Sequence, residues 1–189
     1  VEEFINWFRF QPHPHKILIA GNHDRTFDPK YYYEWSEPED TPAKPVWLQD
    51  LLASLPANIH YLENNSVEID GLKFWGSPIT PNFGSHYWAF NADRGPVIDT
   101  YWQSIPEDTD VIITHGPAEG KLDWTLRGGY GVGCHELKRR IDWIRPKLHV
   151  CGHIHESYGT IEYGETIFVN ASIMNVHYEP VNTPIEIGI

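Results

Sequence analysis

Three apolar segments of this chain each run directly into a short polar turn that contains histidine. The segments are residues 16–20, 110–114 and 147–151, and the turns after them are Gly21-Asn-His-Asp24, His115-Gly-Pro117 and Gly152-His-Ile-His155. Continuous apolar runs of this length are typical of strands that are buried on both faces. Open α/β sheets place their ligand sites in the crevice at the carboxyl ends of such strands. The repetition therefore predicts an α/β fold with one site built from three strand ends.

The last of these turns carries two histidines. If the chain stays extended beyond Cys151, residues two apart face the same side, so His153 and His155 project together. Their α-carbons would then lie roughly 6 to 7 Å apart, which suits two metal ions about 3.5 to 4 Å apart better than a single ion. The alternative is a polar strand end whose histidines face water.

The first turn offers three different chemical groups. Asn22 carries a carbonyl oxygen that can bind a metal, and His23 can donate a proton or a hydrogen bond. Asp24 can orient an imidazole without contacting the metal itself. The alternative is an Asn-His-Asp turn that caps a helix.

Other histidines and loops give weaker signals. His13 and His15 adjoin prolines in a connector, which argues against metal binding. Residues 25–46 and 80–95 form two long loops rich in aromatic residues, and His86 in the second loop could face a substrate or pack on the sheet. The glycine-rich segment 128–133 lacks the ending of a P-loop and follows no strand, so it predicts a connector.

Composition limits the class of protein. The 189 residues, 41% of them hydrophobic, fit a single domain over residues 1–189. Fourteen Lys and Arg against 26 Asp and Glu give a net charge of -12, which opposes binding to nucleic acid and to membrane surfaces. Two cysteines, Cys134 and Cys151, form no zinc or disulfide framework, and no long apolar segment or leader is visible. We expect a cytoplasmic protein, and the sequence predicts no oligomeric state.

Hydrophobic periodicity predicts the remaining elements. Apolar residues at helical spacing predict helices over 2–10, 46–55, 96–105 and 134–144. Alternating residues around Asp70-Gly71 and Tyr163-Gly164 predict hairpins over 66–77 and 159–171, and hence antiparallel parts of a mixed sheet. Residues 184–189 are predicted to form a last strand.

Taken in order, Gly-Asn-His-Asp, Thr-His-Gly-Pro and Gly-His-Ile-His resemble the later signature motifs of the calcineurin-like metallophosphoesterases. The surrounding residues, above all 16–28 and 111–172, are similar to the eukaryotic metallophosphoesterase domain-containing subgroup. The resemblance implies a four-layer sandwich of two mixed β-sheets flanked by helices. It also implies hydrolysis of phosphoesters at a pair of divalent metal ions.

The resemblance assigns roles to individual residues. Asn22, His115 and His153 would bind one ion, His155 would bind the other, and His23 would stabilise the transition state or protonate the leaving oxygen. Imidazole and carbonyl ligands suit Mn, Fe or Zn. Paired ions polarise phosphoryl oxygens and lower the pKa of a bridging water, so that hydroxide attacks phosphorus in line.

One departure from the family pattern has consequences for metal binding. The family begins with an Asp-x-His motif and a Gly-Asp motif, which supply two ligands to the first ion and one bridging ligand, and this sequence has neither in that place. Asp24, Asp28 and Asp123 are the acidic candidates nearby, but their spacing does not recommend them. We expect a chain that lacks its N-terminal strands, binds metal weakly and turns over little substrate.

Two functional hypotheses follow. The first is a metal-dependent phosphoesterase that hydrolyses phosphodiesters, cyclic nucleotides among them. The alternative is a non-catalytic module, on a degenerate fold of the same type, that binds a nucleotide or a protein. A phosphodiesterase activity that depends on His23 and His153 would favour the first hypothesis.

Overall fold

The computed structural model describes residues 1–34, 44–84, 88–129 and 131–189. Within these residues the α-helices are α1 (Glu2–Arg9), α2 (Pro29–Glu34), α3 (Val46–Ala53), α4 (Pro96–Gln103) and α5 (His135–Ile144). Their strands are β1 (Lys16–Leu18), β2 (Ile59–Tyr61), β3 (Asn65–Ile69), β4 (Leu72–Ser77), β5 (Thr80–Pro81), β6 (Asn91–Ala92), β7 (Val111–Thr114), β8 (Leu148–Cys151), β9 (Gly159–Tyr163) and β10 (Thr166–Asn170). Short 3₁₀ turns cover Arg25–Phe27 and His155–Ser157.

Six of the strands form a mixed sheet in the order β3-β4-β7-β8-β10-β9. The central pairs β4–β7, β7–β8 and β8–β10 are parallel, and the two outer pairs are antiparallel hairpins. Asp70 and Gly71 both have positive φ angles, of 52° and 80°, which is the backbone that a tight two-residue hairpin requires. Both predicted hairpins and the mixed sheet are confirmed.

The period of two along each strand divides the sheet into two apolar faces. One row across the sheet is Trp75, Ile112, His149 and Phe168, and this face packs against α4 and α5. The adjacent row is Phe74, Val111, Leu148 and Ile167, and this opposite face packs against Ile185 and Ile187. Because both faces are covered, the central strands β7 and β8 are mostly buried, as the sequence predicted, and His149 is a polar residue within β8.

A second, smaller parallel pair, β1–β2, lies beside β4. A Cβ atom placed on Gly76 of β4 would come within 2.6 Å of the Leu62 side chain and 2.9 Å of the Ile19 side chain, so glycine is required for this approach. The strand β1 ends at Leu18, and three residues then lead to the turn that carries Asn22. The predicted α/β class, with mixed sheet and flanking helices, is confirmed.

Two predictions about local structure were wrong. Residues 184–189 form no strand, and Ile185 and Ile187 pack on a face of the sheet instead of pairing with an edge strand. The segment 80–95 is not loop throughout, since β5 and β6 pair in parallel near its two ends. Residues 35–43 of the first predicted loop, and His86 in the second, lie outside the described residues.

In the part of the chain that the structure describes, no helix has the length and apolar character needed to cross a membrane.

Candidate active site

The parallel pairing of β7 with β8 brings two of the predicted site residues together. His115 follows β7 directly, and His153 lies two residues beyond the end of β8. The backbone N–H of Gly152 donates to the carbonyl oxygen of His115 at 3.0 Å, which joins the two strand ends. The ring centroids of His115 and His153 are 4.8 Å apart. The expected convergence of two strand-end imidazoles is therefore present.

The turn after β1 supplies a third donor to this cluster. Asp24 closes the turn, because its carboxylate accepts from the backbone N–H of Gly21 at 2.8 Å. Asn22 is only 3% exposed, and its Oδ1 lies 2.6 Å from Nε2 of His115. Two ligands of one ion, each about 2.0 to 2.2 Å from the metal, lie about 3 Å apart when they are neighbours. The amide oxygen of Asn22 can only accept, so Nε2 of His115 donates to it, and the two atoms lie slightly closer than neighbouring ligands do. That Asp24 orients an imidazole stays a prediction.

Gly21 allows this arrangement. A Cβ atom at Gly21 would lie 2.6 Å from Cε1 and 2.7 Å from Nδ1 of the His115 ring, distances that real Cβ atoms essentially never show. The backbone of the turn therefore lies close against the imidazole, and any larger residue at Gly21 would force the ring or the turn to shift. The sequence motif includes this glycine, but its contact with His115 could be found only from the fold.

His153 sits in a strained turn that the sequence did not predict. The N–H of Ile154 donates to the carbonyl oxygen of Gly152 at 2.7 Å, and φ of His153 is 67°. These values describe a γ-turn of the rare, strained kind, and strained backbone is concentrated at functional sites. The extended chain expected between residues 151 and 155 was therefore wrong, because the strand ends at Cys151 and the chain folds back at His153.

His155 lies in a different environment from His153. Its Nδ1 is 2.9 Å from the carbonyl oxygen of Asn175, and its ring meets the Tyr178 ring at a centroid distance of 5.1 Å. A carbonyl oxygen can only accept, so Nδ1 carries the proton and Nε2 carries the lone pair. A backbone carbonyl in this position is the usual partner of a metal-binding histidine. Neither Asn175 nor Tyr178 was singled out from the sequence.

His23 is exposed and stands at the edge of the cluster, where its ring meets the edge of Trp88 at a centroid distance of 4.6 Å. Phe83 lies 6.0 Å from Trp88 and 5.0 Å from His153, again between ring centroids. The predicted catalytic histidine and the predicted ligand His153 are thus connected through two aromatic rings. The sequence indicated an aromatic loop here but gave no sign of which rings reach the histidines.

Burial keeps the central imidazoles neutral. Burial first, and then the neighbouring imidazoles of His153, His23 and His155, lower the pKa of His115 to about 3. The pKa of His153 falls to about 4, first by burial and then through His155 and His23. Neutral imidazoles have the free lone pair that a metal requires. Both residues therefore have the protonation state of ligands at neutral pH.

The nearby carboxylates are used to hold loops. Oδ2 of Asp123 accepts from the backbone N–H groups of Gly120 and Gly133, and Oδ2 of Asp28 accepts from that of Phe90 at 2.6 Å. Among the described residues, no group of three or more His, Cys, Asp and Glu side chains is placed to hold a metal ion. The cluster consists instead of two imidazoles and one amide oxygen, a neutral donor set that fits one divalent ion in part.

A buried pair supports the His115 turn from below. Oγ1 of Thr114 donates to the carbonyl oxygen of Gly116 at 2.7 Å, so it accepts the hydrogen bond that joins it to Nε2 of His149 at 2.8 Å. His149 is buried in the apolar row of the sheet, and within the described residues its Nδ1 has no hydrogen-bond partner. Burial lowers the pKa of His149 to about 3. A neutral imidazole thus helps to position the turn, although the sequence showed it only as a strand residue.

Comparisons with known proteins agree with this architecture. A family model described as calcineurin-like phosphoesterase matches residues 1–157. The chain is 40% identical over 196 residues to metallophosphoesterase domain-containing protein 1 of Homo sapiens and of Mus musculus, covering 100% of this chain and 59% of each of those proteins. It is 35% identical over 183 residues to a UPF0046 protein of Caenorhabditis elegans, covering 90% of this chain and 46% of that protein. One solved structure matches 90% of this chain and 62% of its own with a TM-score of 0.62 at 16% identity, a likeness of fold.

Proposed function

Because this chain belongs to the calcineurin-like phosphoesterase family, we propose that it forms the active-site region of a metal-dependent hydrolase of phosphodiesters, cyclic nucleotides among them. The observation that carries the proposal is the convergence of Asn22, His115 and His153 with His23 at the strand ends. The chain spans 59% of the length of its human and mouse relatives, so the proposal concerns the activity of the whole protein.

The donors divide between two ions. Asn22, His115 and His153 would hold one divalent ion, and Nε2 of His155 would be a ligand of the second. Imidazole and amide donors suit Mn, Fe or Zn. Such ions, when bound, polarise the phosphoryl oxygens and lower the pKa of a bound water.

The side chains of this chain contribute further chemistry. His23 is exposed beside the cluster, so its imidazole can donate a hydrogen bond to a phosphoryl oxygen or a proton to the leaving oxygen. The low pKa values of His115 and His153 keep both rings neutral, so the cluster itself adds no positive charge that would oppose a metal. His23 thus acts on the ester, and the buried imidazoles act on the ion.

The 189-residue chain by itself should bind metal weakly. Its donor cluster is neutral, and the carboxylates of Asp28 and Asp123 already accept backbone hydrogen bonds. A cation that enters such a cluster loses water without gaining a balancing negative charge. Metal analysis of the chain after gel filtration should return less than one ion per molecule, and two tightly held ions would contradict this inference.

The direct test is an assay of the full-length protein with Mn and an artificial phosphodiester. His23→Ala and His153→Ala should each lower kcat/KM by two orders of magnitude or more, roughly the effect of removing a catalytic or metal-binding group. His135→Ala is the matched control, because His135 is exposed on α5 and pairs only with Glu119 among its described contacts. Activity that survives both substitutions would refute the proposal. Nucleotide binding without metal and without turnover would favour the non-catalytic module.

A further inference from the structure

Two aromatic rings stand between the candidate catalytic histidine and the candidate metal ligands. Along this line the ring of His23 contacts Trp88, Trp88 stacks on Phe83 with an interplanar angle of 25°, and Phe83 contacts His153. A single exposed aromatic residue needs no explanation, since much of any protein surface is apolar. Two neighbouring rings that each touch a candidate active-site imidazole are a more specific arrangement.

The two rings are held in place by the same turn that carries the donors. The N–H of Ala89, next to Trp88, donates to the backbone carbonyl of Asn22 at 3.1 Å. On either side, the parallel pairing of β5 with β6 fixes both ends of the segment, with Asn82 N–H donating to the carbonyl of Ala92 at 2.9 Å. The position of Trp88 and Phe83 relative to Asn22 is therefore set by backbone hydrogen bonds.

Both rings also remain partly exposed to solvent. Phe83 is 46% exposed although it contacts His153, and Trp88 is only partly buried. The guanidinium carbon of Arg25 lies over the Trp88 ring, 5.6 Å from its centroid, so a cation covers part of this ring in a chain whose net charge is -12, and the more exposed Phe83 ring offers the larger free surface. An anionic ester with a flat ring meets both an apolar face and a positive charge here.

We propose that Phe83 and Trp88 form an aromatic shelf, which binds the flat ring of a phosphoester whose phosphoryl group lies at His153 and His115. This inference rests on the proposed function, and it names the substrate class as phosphoesters that carry an aromatic ring, either a nucleobase or an aryl group. Every nucleobase has a face that can stack, and such stacking is sequence-tolerant. The shelf therefore selects aromatic over aliphatic esters and discriminates little among bases.

The experiment measures binding rather than turnover. Phenyl phosphate and methyl phosphate have the same anionic group and differ in the ring, and calorimetry on the full-length protein with Mn gives the ratio of their Kd values. We expect phenyl phosphate to bind more tightly, and the double variant Phe83→Leu/Trp88→Leu to lose this preference by roughly 5- to 150-fold, the range measured for stacking of one base on an aromatic side chain.

Two control variants separate stacking from folding. Phe83→Tyr keeps the ring and should retain the preference for phenyl phosphate. Trp143→Leu removes a tryptophan that is 69% exposed on α5, and it should leave the ratio of Kd values unchanged. Thermal unfolding of each variant checks that the fold is retained.

The outcomes for the shelf and for the proposed function are distinguishable. If the full-length protein does not hydrolyse bis(p-nitrophenyl) phosphate but its preference for phenyl phosphate disappears in the double variant, the shelf is supported and the catalytic proposal is contradicted. If the protein is active but shows no preference for phenyl phosphate, or keeps the preference in the double variant, the shelf is refuted.

Discussion

His153 and His155 belong to the same short turn, yet the fold places them in unlike surroundings. His153 stands against His115, which in turn lies 2.6 Å from Asn22, so three donors from three strand ends meet. His155 contacts a backbone carbonyl and the exposed ring of Tyr178, both from the C-terminal segment. The first environment is built on the sheet and the second is built on a surface segment. Two histidines of one short motif can therefore lie in unlike environments, one within a cluster of three candidate donors and one apart from it.

The difference follows from the topology of the strands. β7 and β8 are parallel neighbours, so their carboxyl ends are one strand spacing apart and His115 meets His153 directly. Asn22 arrives from β1, which belongs to a separate strand pair, and the contact depends on the close approach of Gly21 to the His115 ring. His155 lies beyond the reach of these strands, because the chain has already turned back at His153.

The largest effect that tests this comparison should come from His115→Ala. The substitution removes one imidazole from the assembled group and leaves the buried Oδ1 of Asn22 without its partner. Loss of a ligand at a catalytic ion costs several kcal/mol of transition-state stabilisation, or on the order of a thousandfold in kcat/KM. The measurement is hydrolysis of bis(p-nitrophenyl) phosphate by the full-length protein with Mn. The kcat/KM of the control variant His135→Ala should stay within about twofold of that of the unsubstituted protein. A loss of less than tenfold would mean that His115 is not a ligand.

A smaller loss is expected from Gly21→Ala, which leaves every donor in place. The added methyl group would lie 2.6 Å from the His115 ring, so the ring or the turn must shift and the contact between His115 and Asn22 is disturbed. Substitution of a residue that positions a metal ligand typically lowers the metal affinity by about 10- to 100-fold. Titration of the full-length protein with Mn, followed by activity, measures this affinity.

Gly152→Ala is the matched control for that substitution. Gly152 also adjoins the cluster, but its added methyl group would lie 3.6 Å from Oγ of Ser172, an ordinary contact. Its effect on Mn affinity should be no more than about twofold. Equal losses in the two alanine variants would show that general packing, and not the His115 ring, explains the result.

These residues also show how far the sequence can predict such a site. A shared site at the three turns was predicted because continuous apolar runs indicate buried strands whose carboxyl ends share one edge, and the family resemblance implied Asn22, His115 and His153 as the ligands within these turns. The fold back at His153 was missed, because a positive φ at a histidine depends on the hydrogen bond between Ile154 and Gly152 and not on residue type. The predicted strand at 184–189 failed because Ile185 and Ile187 pack on a face of the sheet, a position that only the fold reveals.

Phe83 and Trp88 mark another limit of sequence-based prediction. Their loop was recognised as aromatic, but aromatic residues in a loop most often pack on the sheet beneath them. Which rings reach His23 and His153 depends on the pairing of β5 with β6, two strands of two residues each. Periodicity cannot identify strands of that length.

Among the described residues, the part of the site at His115 and His153 has a supporting set of buried hydrogen bonds that the part at His155 lacks. His149 lies in the apolar row beneath the site and donates through Nε2 to Thr114, whose hydroxyl in turn donates to the carbonyl of Gly116. Burial holds the pKa of His149 at about 3 in the folded chain, against an ordinary value of 6.5. Between these two values the unfolded chain takes up a proton that the folded chain does not, so the free energy of unfolding falls as the pH falls.

The smallest predicted effect concerns this support and appears as a pH dependence of stability. His149→Gln keeps a donor that can reach Thr114 but cannot be protonated, so one acid-sensitive group is removed. From pH 6 to pH 5 the free energy of unfolding of the variant should fall by about 1 kcal/mol less than that of the unsubstituted chain, close to one proton's contribution per pH unit. Urea unfolding of both chains with a chelator present measures the difference, and the contributions of His115 and His153 are common to both. If the free energies of unfolding of the two chains change equally with pH, His149 becomes protonated in the folded chain as it does in the unfolded chain. The hydrogen bond between Nε2 and Thr114 would then not require a neutral ring. A shallower profile for the variant would instead show that the sheet holds a neutral imidazole at Thr114, where it supports the turn that carries His115 but not the segment that contacts His155.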